Sequence, residues 1–333
     1  MFSLAIKFGS VNTAIYRKGE GLVLKEPSLV CAKQVGNKYE IIAFGDEAKK
    51  LQGKTDDKTY IFSPIVEGKV KAKDYAVELL KFFLKKVKKF PFFGENAIVC
   101  VKSTLTSAEK EEIISVFNEC GIRKVALVPE IICDAYTCLQ DISSSKTAFV
   151  LNVSGTTSEI ALVNSFSIIK GGCLNLGGRN LDIEIANFIA SKYNVTISVA
   201  TAQKLKEEIS SLYENDSQMY EIVGFDEEQK KPNRIVVSSE ELFPIMQDFA
   251  SKLVLLVETS INVCPPEILK DILSNGLYLC GGSSNIAGIA KFLRKKIGID
   301  VTLIENNENS TILGAGKFLL NQKDLSKVIK NFN

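Results

Sequence analysis

The chain has 333 residues, 46% of them apolar and 24% charged, with a formal net charge of +2. This is more material than one core usually takes, so two lobes are expected and intrinsic disorder is excluded. There is no histidine, which removes imidazole bases, Ser-His-Asp triads and most zinc sites, and no basic stripe interleaved with aromatics that would suggest nucleic acid. No apolar run is long enough to span a bilayer, and the opening MFSLAIKFGS has the wrong flanks for a signal peptide, so a cytoplasmic location is expected. The 8 cysteines are scattered without a C-x-x-C pair and read as buried free thiols.

In chain order, Leu4–Tyr16 (LAIKFGSVNTAIY) reads as an apolar strand, a Gly/Ser turn and an alternating strand. Further on, Ala76, Leu79, Leu80, Phe83, Leu84 and Val87 fall on one stripe of a predicted helix, with Lys81, Lys85, Lys88 and Lys89 opposite. The ordinary reading of such a helix is a core stripe with a solvated basic face. Pro91 stops it and leaves Phe92 and Phe93 in a short turn before the strand AIVCV, where apolar side chains have little core to enter. Helical periodicity returns in TSAEKEEIISVFNECG after Ser103.

The opening grammar recurs at Phe149–Leu162 (FVLNVSGTTSEIAL), with Asn152 at the lip of the turn, so the two lobes are expected to be related. A helix, NLDIEIANFIASKY, follows Gly178. Alternating strand and helix signals predict an α/β fold with mixed sheets. The polar segment 211–240 carries two short strand-like runs and reads as a small inserted subdomain. Gly276–Leu293 runs strand, Gly281-Gly282-Ser283-Ser284, helix, and the tail NQKDLSKVIKNFN predicts a helix returning over the first lobe.

A Gly/Ser/Thr turn offers backbone N–H groups and hydroxyls with little bulk, which suits close approach by a phosphate oxygen, and a glycine pair at a strand-to-helix junction suits an anionic or flat group. Singly, each such turn is more often an ordinary hairpin. Two of them facing each other could clamp a polyphosphate.

In this order and spacing the three turns resemble the two phosphate segments and the adenosine segment of the actin-like ATPase superfamily. GLVLKEPSLVCA, FGDEAKKLQGKT, SPIVEGKVKAKDYAVELLKFF, NLGGRNLDIEIANFI, TAQKLKEEI, VCPPEILKDIL and TILGAGKFLL further resemble its MreB branch of bacterial cytoskeletal proteins, from about Ala5 to Leu320. The resemblance implies an actin-like (ribonuclease H-like) fold of two lobes around a nucleotide cleft. Lobe I would comprise 1–143 with 313–333 and a small subdomain near 32–62, and lobe II 144–312 with one near 181–248. It implies ATP or ADP with Mg²⁺, Ser10, Val11 and Asn12 cradling phosphates from lobe I, and Gly155, Thr156 and Thr157 from lobe II. Gln203, Lys204, Leu205 and Lys206 match its ribose and adenine contacts, with Gln203 where glutamate is usual, and Gly281, Gly282, Ser283 and Ser284 line the adenine pocket. Glu130 falls where a carboxylate orients the attacking water, although a surface helix-cap glutamate is an equal reading of the residues alone. Phe92 and Phe93 fall where the branch keeps a membrane-inserting loop, which implies a peripheral position at the inner face of the membrane and an anionic lipid surface as partner. Self-assembly into filaments, alone or with sister proteins, follows from the resemblance as well.

Three positions depart from the pattern. Lys7 and Asn152 stand where an aspartate is expected in each phosphate turn, and Ser154 where glycine is usual, so the local formal charge goes from −2 to +1. An ammonium and an amide cannot serve as anionic acceptors for a hydrated Mg²⁺. Lys7 could pair with a phosphate, or simply reach for solvent. The expectation is therefore an MreB-like filament protein of cell shape with weak or absent hydrolysis. The alternatives are a competent ATPase or kinase of the superfamily, or a nucleotide-free scaffold that co-assembles with a sister protein.

Overall fold

The sequence LAIKF places Lys7 alone among apolar residues, and in the computed structural model, which describes residues 1–87, 94–139, 147–262 and 264–332, Leu4–Phe8 is the central strand β1 of a five-stranded sheet. It turns at Gly9 into β2 (Asn12–Arg17), which pairs antiparallel with β1 and then with β3 (Gly21–Pro27). A side sheet follows: β4 (Val30–Val35), β5 (Lys38–Phe44), helix α1 (Gly45–Lys50) and β6 (Thr59–Phe62), in the order β5-β4-β6. A two-residue hairpin, β7 (Ile65–Val66) and β8 (Lys69–Val70), turns through Glu67 and Gly68, both at positive φ, the conformation such tight hairpins need. Helix α2 (Lys73–Val87), strand β9 (Asn96–Val101), helix α3 (Ser107–Glu119), strand β10 (Lys124–Pro129) and helix α4 (Glu130–Cys138) complete this half of the chain. The sheet order is β10-β9-β1-β2-β3, with β10, β9 and β1 parallel.

The expected stripe of α2 is buried at Ala76, Leu79, Leu80 and Phe83, and its basic face is partly paired, as Lys81 meets Glu78 at 2.8 Å. Lys88, Lys89, Pro91, Phe92 and Phe93 lie outside the described residues. Among the described residues no helix is long and apolar enough to cross a membrane.

The second sheet takes β11 (Ala148–Val153), β12 (Ser158–Asn164) and β13 (Ser167–Leu174). Next come α5 (Gly178–Tyr193), β14 (Val195–Thr196), α6 (Val199–Ile209) and the long hairpin β15 (Met219–Asp226) and β16 (Lys231–Ser238). Helices α7 (Ser239–Asn262) and α8 (Pro266–Asn275) lead into β17 (Leu277–Cys280), α9 (Ile289–Ile297) and β18 (Val301–Leu303). The strand order β13-β12-β11-β17-β18, with β11, β17 and β18 parallel, repeats that of the first sheet: third, second, first, fourth, fifth. The duplicated strand-turn-strand segments thus sit at equivalent places in two sheets of one design. The polar segment after 211 forms two full strands, β15 and β16, in a sheet of order β14-β15-β16.

Contacts divide the chain into two compact units. The first comprises Met1–Ala148, Leu162–Ile169 and Asn309–Asn333, and the second Phe149–Ala161 and Lys170–Glu308. The first unit is therefore completed by the last two helices, α10 (Ser310–Leu320) and α11 (Gln322–Phe332), and by Phe166, whose buried ring lies edge-on to Tyr136 at 5.6 Å. Helix α10 is buried at Gly314, Ala315 and Gly316; Gly314 lets it approach α4 closely, and Gly316 faces the Tyr16 ring of β2. A Cβ on Gly314 would stand 1.9 Å from the Cys133 carbonyl oxygen, backbone that cannot move aside. Gly314→Ala is expected to lower stability by more than about 2 kcal/mol, read by chemical denaturation, because overpacking against backbone forces the two helices apart.

Candidate functional site

On the first unit the carboxyl ends of three parallel strands bring three charges together: Lys7 near the end of β1, Lys102 just past β9 and Glu130 just past β10. Ligands of open α/β sheets gather at such strand ends. Lys102 Nζ lies 2.8 Å from Glu130 Oε2, with each side chain only 6% exposed, and Lys7 Nζ lies 3.8 Å from the same oxygen with its side chain 18% exposed. Glu130 is thus a buried, doubly paired carboxylate and not a surface cap. Burial works to raise its pKa, but Lys102 and Lys7 outweigh that and hold it down at about 2. Lys102 had no signal in the sequence, because nothing local marks a lysine after β9 as a partner of a glutamate after β10.

The network extends into α10. Lys7 Nζ donates to Thr311 Oγ1 at 3.0 Å, that hydroxyl donates to Asp134 Oδ1 at 2.8 Å, and Ser310 Oγ donates to the same oxygen at 2.6 Å. Two residues beyond Lys7 begins the first phosphate-type turn. Gly9 N–H donates to Asn12 O at 3.2 Å, and a Cβ on Gly9 would meet that oxygen at 2.8 Å, so only glycine closes the turn this tightly. Ser10 Oγ accepts from Gly68 N–H at 3.3 Å, while Val11 is half-buried and Asn12 exposed. Gly68 in turn makes room for the Lys102 stem, whose Cγ would lie 2.8 Å from an added Cβ. A cavity of about 10 Å³, space for about one water molecule, adjoins Phe8, Gly68, Cys100, Lys102 and Glu130.

The second unit carries the matching turn. Ser154 N–H and Oγ both donate to Thr157 O, at 2.9 and 2.8 Å, so the serine hydroxyl braces the turn from within. Gly178 N–H donates to Ser154 O and Arg179 N–H to Gly155 O, which seats the start of α5 on the turn. A Cβ on Gly177 would stand 2.6 Å from Ser154 O and Thr156 N. Lys206 Nζ donates to Gly178 O at 2.9 Å and to Asp182 Oδ1 at 2.6 Å, and Ser283 Oγ donates to Ser154 O at 3.0 Å. Burial raises the Asp182 pKa, with Lys206 pulling the other way. Gly281, at φ +89°, abuts Val153 O and Asn152 Oδ1; Gly282 is exposed, and Ser284 Oγ donates to Gly281 O and accepts from Asn307 Nδ2. Gly155, Thr156, Thr157, Lys206, Gly281 and Ser283 are therefore brought to one place with Asn152.

The rest of the α6 stretch goes elsewhere. Gln203 donates to Glu207, Lys204 is exposed with its ammonium 5.7 Å from the Tyr220 ring centre, and Leu205 is fully buried in the core.

The donors present do not fit a hydrated divalent cation. Glu130 is already bound to two ammonium groups and Asp134 to two hydroxyls, and no group of three or more His, Cys, Asp or Glu that could hold a metal ion occurs among the described residues.

The model of the MreB/Mbl protein family matches residues 1–327. The chain belongs to the MreB/Mbl family. It is 29% identical to the cell shape-determining protein MreB of Escherichia coli (strain K12) over 326 residues, covering 96% of this chain and 94% of that protein. It is 28% identical to the cell shape-determining protein Mbl of Bacillus cereus, covering 97% of each. Among solved structures, MreB5 of Spiroplasma citri bound to AMPPNP superposes with a TM-score of 0.91 at 27% identity over 98% of both chains. The MamK double helical filament superposes with a TM-score of 0.80 at 18% identity over 95% of this chain and 98% of its own. The MreB/Mbl chain accordingly has the actin-like fold, with one sheet of the same strand order in each unit.

Proposed function

We propose that this member of the MreB/Mbl family is a cytoskeletal filament protein of cell shape that binds ATP or ADP and hydrolyses ATP slowly or not at all. The observation that carries the reading is the pair of phosphate-type turns, Gly9–Asn12 and Ser154–Thr157, one on each unit at equivalent places in sheets of one order. MreB5 of Spiroplasma citri, solved with AMPPNP and with ADP, supports nucleotide as the ligand, and the relatives named for cell shape support the role. The two lobes run over 1–143 with 313–333 and over 144–312, each with one phosphate-type turn, and Glu130 is nearest the attacking water. Slow turnover follows from the absent carboxylates at Lys7 and Asn152 and from the two ammonium groups that already occupy Glu130. The same charges argue against a competent kinase or ATPase. The filament works in the cytoplasm at the inner face of the membrane, touching anionic lipid through Phe92 and Phe93, by itself or with sister proteins. Open strands arise whenever a head-to-tail contact does not close into a ring.

Negative-stain electron microscopy of the purified protein, with and without ATP, tests the proposal. Filaments that form or lengthen with nucleotide are expected. Filaments indifferent to nucleotide would favour the nucleotide-free scaffold, and no filaments under any condition would overturn the proposal.

A further inference from the structure

We propose that Lys7, Lys102 and Glu130 form a built-in counter-cation that holds the polyphosphate of a nucleoside triphosphate without a divalent metal, Lys7 making the contact and Lys102 keeping Lys7 available. The inference rests on the nucleotide reading above and adds the metal independence and the role of Lys102.

Glu130 is ionised and buried at the end of β10, so it draws in the nearest cation. Had Lys7 been alone beside it, the two would neutralise each other and the phosphate turn would have no net attraction for an anion. Lys102 sits closer, at 2.8 Å against 3.8 Å, and takes up the carboxylate's charge from the buried side. The triad keeps one positive charge, and it resides on the most exposed of its members, Lys7. Thr311 Oγ1 fixes the Lys7 ammonium from below at 3.0 Å, so the charge is held in place near the end of β1, two residues before the Gly9–Asn12 turn. A divalent ion held by carboxylates normally supplies this positive charge at a phosphate site. Here a lysine supplies it, and a second, Lys102, is a positioning residue that prevents its neutralisation. Gly68 is part of the device, since any side chain there would collide with the Lys102 stem. Asp134 adds a negative charge one hydroxyl further away; it is common to every variant below and leaves their order unchanged.

The test is a titration of the full chain with a fluorescent ATP analogue, once in excess Mg²⁺ and once in EDTA. The wild-type dissociation constant is expected to agree within about threefold between the two buffers, and affinity to follow the triad's net charge at about tenfold per unit. Lys7→Gln and Lys102→Gln should each weaken binding and Glu130→Gln should strengthen it, all in EDTA. The double change Lys102→Gln with Glu130→Gln should bind like wild type, because it replaces a neutral pair by a neutral pair; a merely structural Lys102 would not be rescued in this way. Circular dichroism confirms that each variant is folded, and the double variant, which buries no lone charge, carries the test if either single one unfolds. Binding that falls tenfold or more in EDTA, or a double variant no tighter than Lys102→Gln, overturns the inference while leaving nucleotide binding intact. No binding in either buffer overturns both.

Discussion

Lys7→Asp together with Asn152→Asp is expected to raise ATP hydrolysis in Mg²⁺ by about a hundredfold. Charge stabilisation of a phosphoryl transition state is worth on the order of 3 kcal/mol where one preorganised group is gained or lost, and the double change restores an anionic acceptor on each unit for the hydrated cation. On the first unit the change also removes one of the two ammonium groups at Glu130 and leaves Lys102 to hold it. The same variant should become sensitive to EDTA. A coupled phosphate-release assay at saturating ATP reads both effects. A flat rate in the double variant, or a wild type as fast as ordinary filament ATPases, would sink the argument from the two missing carboxylates.

Phe92→Ser with Phe93→Ser should abolish co-sedimentation with anionic liposomes and leave the thermal melt unchanged. Each ring entering the bilayer interface contributes roughly 1.5 to 3 kcal/mol, and each nearby lysine about 1 kcal/mol against anionic lipid. The lysines of α2 contribute less than their number suggests, since Lys81 is paired with Glu78 and Lys86 with Glu26 at 2.6 Å. The rings therefore carry most of the expected effect, and a filament multiplies a weak single contact into firm attachment. Lipid binding that survives the double serine change would make this loop an ordinary surface turn.

The parts of the fold that sequence revealed are those written in short stretches. The two strand-turn-strand segments were legible because Gly9 and Gly155 stand at fixed offsets between apolar alternations, and the α2 stripe because its period is local. What was not legible depends on crossings. Lys102 meets Glu130 because β9 and β10 run parallel and end level with each other, a consequence of register that no spacing within either segment encodes. Thr311 and Ser310 meet Asp134 across separations of 177 and 176 residues. The stretch 203–206 lies within α6, so its four side chains point in different directions, and Lys206 reaches the Gly178 carbonyl at the start of α5. The departures at Lys7 and Asn152 were visible as substitutions, but their meaning needed the partners that the fold supplies.

The completion of the first unit by α10 has a consequence for how the protein is made. Lys7 and Thr311 are 304 residues apart, so at about 5 to 20 residues per second a ribosome needs about 15 to 60 s to deliver the hydroxyl that orients the lysine. Until then β1, and α4 once it is made, lack the helix that covers them, while every residue of the second unit is translated ahead of it. Vectorial synthesis thus finishes the N-terminal unit last, and the nascent chain must keep its apolar surface from aggregating in the meantime. A chain stalled before residue 310 already contains both phosphate-type turns, yet it has neither the Ser310 and Thr311 hydroxyls that hold Asp134 nor the fixed Lys7 that depends on them.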